Sequence, residues 1–306
     1  MKIVFFGSSL FSLPSLRVLS PDIGLVVTKK PKPRGRGYLV KGNEVKEEAE
    51  RLDLPVLEID SFKAIHEPAM REVEPDLFVV VSFGLIIPKS FLEIPKIGSL
   101  NVHPSLLPKY RGPSPIQWAI LSAERVTGIT IIKMNEWLDA GDIVYQEESE
   151  IFEKDNQISL SDRLSRRASE ILPQIVAEVV KKGKIEGVPQ RHDEATYTPL
   201  ITKEMGRIDW RNDAAYIERQ VRAFLLWPNA YTFVEKKMLK IFDADVYKRD
   251  VVGEPGRVVE VTREGIVVCA GKRSLLLKEV QLENKRRMRA AEFSRGFRGL
   301  VGKVFV

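Results

Sequence analysis

Residues 76–83, DLFVVVSF, are apolar at every position except Asp76 and Ser82. A strand covered on one face alternates apolar and polar residues, so an almost unbroken apolar run predicts a central strand of a parallel sheet, buried on both faces. Working outward, KIVFF (2–6), which ends at Gly7, and IGLVVT (23–28) have the same character. PVLEI (55–59) and SLNVH (99–103) supply two shorter strands. Helical patterns fall between them: Leu13, Leu16 and Leu19; Glu44 to Leu52; residues 62–74; and Pro115 to Ala123, opened by Pro113, Ser114 and Pro115. Strands that alternate with helices imply right-handed crossovers, hence an α/β fold with an open, mostly parallel, doubly wound sheet. ITIIKM (129–134) and DIVYQE (142–147) form the next β-like pair. A long helix over 160–182 follows, with Leu164, Ala168, Ile171, Leu172, Ile175, Val176 and Val179 at helical spacing.

Regularity is lost over 183–208. Beyond a helix near 213–225 come AYTFVE (230–235), KMLKIFDADV (237–246), GRVVEVT (256–262), GIVVCA (265–270) and SLLLKEVQL (274–282). Short strands separated by turn residues predict a small barrel or sandwich. The expected organisation of the 306 residues is a first domain over 1–182, a linker over 183–208 and a second domain over 209–306. The single cysteine, Cys269, excludes an internal disulfide and a cysteine-cluster metal site. No apolar run reaches the length of a membrane span, and the start, MKIVFFGSSL, reads as strand then helix. A soluble cytoplasmic protein is expected.

The distribution of charge says more than the net +6. Residues 28–41 carry Lys29, Lys30, Lys32, Arg34, Arg36 and Lys41 with no acid. The tail 284–306 sets seven cations, Lys285, Arg286 and Arg287 among them, against Glu292 alone. Each segment is therefore +6 and the remainder −6. Two basic segments on an acidic body point to a polyanionic partner, nucleic acid first; solvated charged faces are the plainer alternative.

Several chemistries drop out. No GxxxxGK[ST] occurs, Gly7-Ser8-Ser9 lacks the later glycines of a dinucleotide fingerprint, and no GxSxG exists. His66, His103 and His192 are far apart in sequence with no HxxH, so no metal is expected. What remains is Asn101-Val102-His103-Pro104-Ser105-Leu106-Leu107-Pro108, followed by Lys109-Tyr110-Arg111-Gly112. Asn101 and His103 project from one face of an extended strand, and Pro104 keeps His103 extended. An amide beside an imidazole is a donor pair suited to an oxyanion. Further on, Leu138-Asp139-Ala140-Gly141-Asp142 offers a carboxylate at a glycine turn, and on spacing Asp142 is as good a candidate as Asp139. His, Asn and Asp without a Ser or Cys nucleophile point to direct acyl transfer between bound substrates. Structural turn and strand-end roles for all three are the alternative.

The NxHPSLLP segment followed by Leu138-Asp139-x-Gly141 resembles the signature of the folate-dependent formyltransferases. Within them the chain is similar to the methionyl-tRNA formyltransferase family over nearly its whole length. VSFGLIIP (81–88), YRGPSPIQ (110–117), GITI (128–131) and Gly141-Asp142 fit it. So do Ile208-Asp209-Trp210, Arg222-Ala223-Phe224 and Trp227-Pro228, which lie in parts that the glycinamide ribonucleotide enzyme lacks. Arg34-Gly35-Arg36-Gly37 resembles part of the basic loop that the family uses on tRNA.

The resemblance implies a Rossmann-like catalytic domain and an oligonucleotide-binding-type (OB-like) barrel. It implies Asn101, His103 and Asp139 as catalytic trio, and Ser105, Leu106, Leu107, Pro108, Phe83, Gly84 and Ile86 as folate-binding residues. Lys29, Lys30, Lys32, Arg34, Arg36, Lys285, Arg286 and Arg287 would contact tRNA. The expected substrates are 10-formyltetrahydrofolate and initiator methionyl-tRNA, with no metal, no membrane and a monomeric enzyme. Gly7-Ser8-Ser9-Leu10 departs from the family's usual Gly-Thr-Pro, and Tyr38-Leu39 from the two lysines that some members carry. Two other readings remain: a formyltransferase acting on a small amine (an amino sugar or glycinamide ribonucleotide), and a non-catalytic RNA-binding protein. A small amine would need neither the basic segments nor the barrel.

Overall fold

Strands β1 (Ile3–Gly7), β2 (Ile23–Lys29), β3 (Val56–Ile59), β4 (Leu77–Val81) and β5 (Gly98–His103) run parallel in the spatial order β3-β2-β1-β4-β5. This is a computed structural model, describing residues 1–31, 43–249, 251, 253–297 and 299–306. β6 (Val126–Lys133) and β7 (Ile143–Glu150) extend the sheet antiparallel. All five positions of β1 and of β4 are buried, the burial that their apolar runs require. β7 at the edge carries polar residues instead, which blunts further strand pairing.

Helices α1 (Leu13–Leu19), α2 (Glu44–Arg51), α3 (Glu67–Glu72) and α4 (Lys89–Leu92) fall between the parallel strands. The pattern over 62–74 yields only the short α3, preceded by one tight turn, Ala64–His66. α2 starts where Asn43 accepts from the backbone N–H groups of Val45 and Lys46, relieving two of the orphan donors of a helix start. The Asn43 amide also donates to Thr28 Oγ1 and the Lys29 carbonyl, tying the end of β2 to that start. Beneath the sheet's carboxyl ends, Phe6 packs on Phe78 at 4.9 Å and on Phe83 at 5.3 Å, and Phe62 on Phe91 at 4.8 Å. α5 (Pro115–Leu121) and the long α6 (Gln157–Lys182) follow. Asn156 and Ser159 cap α6 reciprocally: Asn156 Oδ1 accepts from the Ile158 and Ser159 N–H groups, and Ser159 Oγ from the Asn156 N–H.

Past these, α7 (Ala214–Ala223) precedes β8 (Ala230–Val234), β9 (Lys237–Val246), β10 (Val258–Val261), β11 (Ile266–Cys269), β12 (Ser274–Leu282) and β13 (Met288–Arg289). The antiparallel order is β10-β11-β12-β9-β8, with β13 on β12. Its two edges meet the chain's last residues: Phe305 N–H donates to the Gly256 carbonyl, and Phe233 and Val306 exchange backbone hydrogen bonds. The terminal segment thereby bridges the two edges of the sheet, as in the barrel rather than the sandwich of the two expected architectures. α8 (Ala290–Gly296) lies in the basic tail, where no helix is expected from the sequence reading.

The chain divides into two compact units, one of residues 1–115, 126–150 and 161–199, the other of residues 116–125, 151–160 and 200–306. The expected linker is shared between them. Ile185, Gln190 and Thr198 are buried and count with the first unit. No helix of the described residues is long and apolar enough to cross a membrane.

Candidate active site

The strand order reverses around β1, since the chain steps outward to β3 and returns with β4 on the other side. Open α/β sheets bind ligands outside the carboxyl ends of the strands at such a switch point. Two turns meet there: the Ser8 N–H donates to the Ser82 carbonyl, and Ser9 Oγ to Ser82 Oγ at 2.8 Å. β5, next to β4, ends in Asn101 and His103. Asn101 is half-buried, and His103 is 4% exposed.

Both side chains reach one carboxylate. Asn101 Nδ2 donates to Asp139 Oδ1 at 3.2 Å, and His103 Nδ1 lies 3.6 Å from Asp139 Oδ2. The Gly112 N–H donates to the same Oδ2 at 2.8 Å. At the far side of the ring, Nε2 stands 2.9 Å from the Tyr110 carbonyl, which can only accept, so Nε2 carries a proton. Of the two aspartates left open by spacing, Asp139 is the one at the imidazole. The Asp142 backbone carbonyl accepts from Lys133 N–H, and a Cβ on Gly187 would lie 2.8 Å from Asp142 Cβ.

Asp139 sits at φ 48°, left-handed for a residue with a side chain, so its turn must be held by its surroundings. Gly141 brings the chain against β6: a Cβ there would lie 1.7 Å from the Lys133 carbonyl oxygen. Gln190 Nε2 donates to the carbonyls of Asp139 and Gly141 at 2.8 and 2.7 Å. Its Oε1 accepts from Arg111 Nε and Nη2 at 3.1 and 2.7 Å. Arg111 is 2% exposed; its remaining contacts are Tyr197 Oη at 3.1 Å and His192 Nδ1 at 2.9 Å. Among the described residues no carboxylate pairs with it. The segment 110–112 pairs with 196–198 through backbone bonds between Arg111 and Thr196 and between Thr198 and Arg111. Gly112, at φ 107°, takes a conformation disfavoured for other residues.

The turn expected to bind folate is held from beneath. Thr130 Oγ1, opposite His103 in the β5–β6 register, donates to the Ser105 carbonyl and accepts from the Leu107 N–H and Gln146 Nε2. Gln146 Nε2 also donates to the Leu107 carbonyl, and the Leu107–Pro108 peptide is cis. Ser105 and Leu107 are buried, with Ser105 Oγ donating to the Lys109 carbonyl, whereas Leu106 and Pro108 are half-buried. Phe83 is buried, its ring packed in the aromatic cluster; Gly84 is exposed and Ile86 is 78% exposed.

Of the cations expected at tRNA, Lys29 approaches the site: a Cβ on Gly84 would lie 2.9 Å from its Nζ. Lys30 is exposed and 3.7 Å from Asp60. Lys32, Arg34 and Arg36 lie outside the described residues. Lys285, Arg286 and Arg287 are all exposed. Arg286 pairs with Glu292 at 2.9 Å; Arg287 pairs with Glu279 and lies 4.3 Å over the Phe242 ring. The sequence reading missed Arg111, Gln190, His192, Tyr197 and Gln146 as supports of the site. YRG beside an NxH motif was the available signal for Arg111; Gln190 and His192 fall in a stretch without periodicity.

A family profile described as formyl transferase matches residues 1–176, and one for the formyl transferase C-terminal domain matches 200–298. The chain is 38% identical to a methionyl-tRNA formyltransferase of Alkaliphilus oremlandii, across 96% of each. It is 41% identical to one of Caldanaerobacter subterraneus subsp. tengcongensis, again across 96% of each. Among solved structures it is similar in fold to HypX from Aquifex aeolicus in complex with tetrahydrofolic acid. The TM-score is 0.67 at 21% identity, over 99% of this chain and 48% of that one, so this chain spans about half of HypX.

Proposed function

The chain belongs to the methionyl-tRNA formyltransferases of the formyl transferase family, and we infer that it transfers the formyl group of 10-formyltetrahydrofolate to the α-amine of methionyl-tRNA. The product is the N-formylmethionyl-tRNA of translation initiation. The observation that carries the mechanism is that Asn101 and His103 converge on Asp139 at the carboxyl end of β5.

The methionyl amine attacks the formyl carbon, and the carbonyl oxygen becomes an oxyanion. Asn101 gives one amide hydrogen to Asp139 and offers the second to that oxyanion. His103 donates from Nε2, exchanging the Tyr110 carbonyl for the oxyanion, while Asp139 at Nδ1 keeps the ring in place. As the intermediate collapses, the bond from carbon to N10 breaks. Asp139 and His103 pass the proton lost by the amine to N10. Two substrates held in one site supply the remaining advantage of proximity.

The folate lies against the turn Ser105–Pro108, with the Phe83 and Gly84 backbone and the Ile86 side chain beside it. Lys29 and Lys30, with Lys32, Arg34 and Arg36, meet the tRNA near the reacting end. Lys285, Arg286 and Arg287 bind phosphates, adding affinity without base information. The enzyme works as a monomer in the cytoplasm.

The test is formylation from 10-formyltetrahydrofolate with aminoacylated initiator tRNA, free methionine and amino sugars as competing acceptors. Formyl transfer to methionyl-tRNA alone is expected; preferential transfer to a small amine would refute the tRNA reading.

A further inference from the structure

We propose that Arg111 and Gln190 are positioning residues for Asp139: a buried guanidinium orients an amide, which in turn fixes the backbone of the turn that carries the carboxylate. The proposal rests on the reading of Asp139 as a catalytic group.

A glutamine side chain can be turned either way, and only one way serves the turn at Asp139. Arg111 offers Nε and Nη2 to a single atom, and donors can be met only by the carbonyl end of the amide, Oε1. Nε2 is then forced towards the carbonyls of Asp139 and Gly141, both of which can only accept. Those two bonds hold Asp139 at φ 48°, a conformation that a non-glycine residue keeps only when its surroundings dictate it. Arg111 is suited to this role because it is buried with neutral acceptors, Gln190, Tyr197 and His192, where a carboxylate would compete for the fork. The same segment supplies the Gly112 N–H to Asp139 Oδ2, so one strand of chain fixes both the backbone and the carboxylate of this residue.

Gln190→Glu separates positioning from packing. The carboxylate keeps both Arg111 bonds and the volume, but it has no hydrogen to give and sets oxygen against the two carbonyls. The expected result is a ~10²-fold fall in kcat, the scale of an ångström-sized misplacement. KM for both substrates and folate affinity stay near wild type. Added to Asp139→Asn, the substitution should cost little more, because both remove one unit. Arg111→Lys keeps the charge and loses the fork, so a smaller loss of the same kind is expected, and it carries the test if Gln190→Glu fails to fold. Wild-type kcat in a folded Gln190→Glu protein, or losses that multiply with Asp139→Asn, would overturn the relay. High activity in Asp139→Asn alone would instead overturn the catalytic reading beneath it.

Discussion

The polar groups at Asp139 and those at Arg286 are held in opposite ways. Asp139, His103 and Arg111 are largely withdrawn from water, and Asn101, Gln190 and the Gly112 N–H are fixed among them by hydrogen bonds of 2.7–3.2 Å. Arg286 and Arg287 are exposed, each paired with one carboxylate, Glu292 or Glu279, that a phosphate can displace. Low dielectric and fixed geometry suit a site that must recognise a developing charge, and preorganised donors act there without reorganisation. Exposed, screened cations suit a polyanion met through many weak interactions. On the proposed function, rate belongs to the first region and affinity to the second.

The largest effect that can break this contrast is at the trio. Asn101→Ala and His103→Ala should each lower turnover by ~10²–10³, as loss of an oxyanion-hole donor does, and Asp139→Asn by a similar factor because it holds both donors and helps move the proton, with tRNA affinity kept. Pairwise combinations should lose less than the product of the single losses. Steady-state kinetics beside a tRNA binding isotherm would measure this, and more than about a tenth of wild-type activity in His103→Ala would remove it from the trio.

Next in size is the exposed region. Replacing Lys285, Arg286 and Arg287 together should weaken initiator and elongator tRNAs alike. It should flatten the dependence of log affinity on log salt by roughly 0.7–0.9 for each phosphate that is no longer neutralised. An unchanged salt slope would mean that these cations are ordinary solvated surface charge.

The smallest effect concerns stability and contrasts a held carboxylate with a displaceable one. The Arg51 and Arg17 guanidiniums hold the Glu48 carboxyl at about 2, below the usual carboxylate range. Ionised Glu48 therefore stabilises the fold above the unfolded-state value near ~4.3, and that contribution fades as pH falls towards about 2. Glu48→Gln should lower the melting temperature at pH 7 and reduce its drop between pH 5 and pH 2. Glu292→Gln, which breaks an exposed pair, should leave both nearly unchanged. Equal shifts in the two variants would erase the distinction.

Much of this arrangement was legible in the sequence because it follows from local rules. Buried strands announce themselves as apolar runs, as at 77–81, and the side-chain period of two puts Asn101 and His103 on one face. The support of Asp139 was not legible. Gln190 reaches it across some 50 residues through a segment without secondary structure, and no periodicity marks a side chain that bonds to backbone carbonyls. The buried Phe83 ring belongs to the same class, because a family-like segment does not say which of its residues face inward. In the basic tail, Ala290–Gly296 forms a helix whose seven residues are too few for a clear apolar period.

The most direct measurement compares single-turnover formylation and tRNA affinity in two proteins, Asp139→Asn and Arg286→Ala/Arg287→Ala. A crossed result is expected. Asp139→Asn should lose ~10²-fold or more in rate at saturating methionyl-tRNA and keep its Kd, whereas the arginine variant should raise Kd and keep the saturated rate. The same parameter changing in both proteins would contradict the division between a site that reacts and a surface that binds.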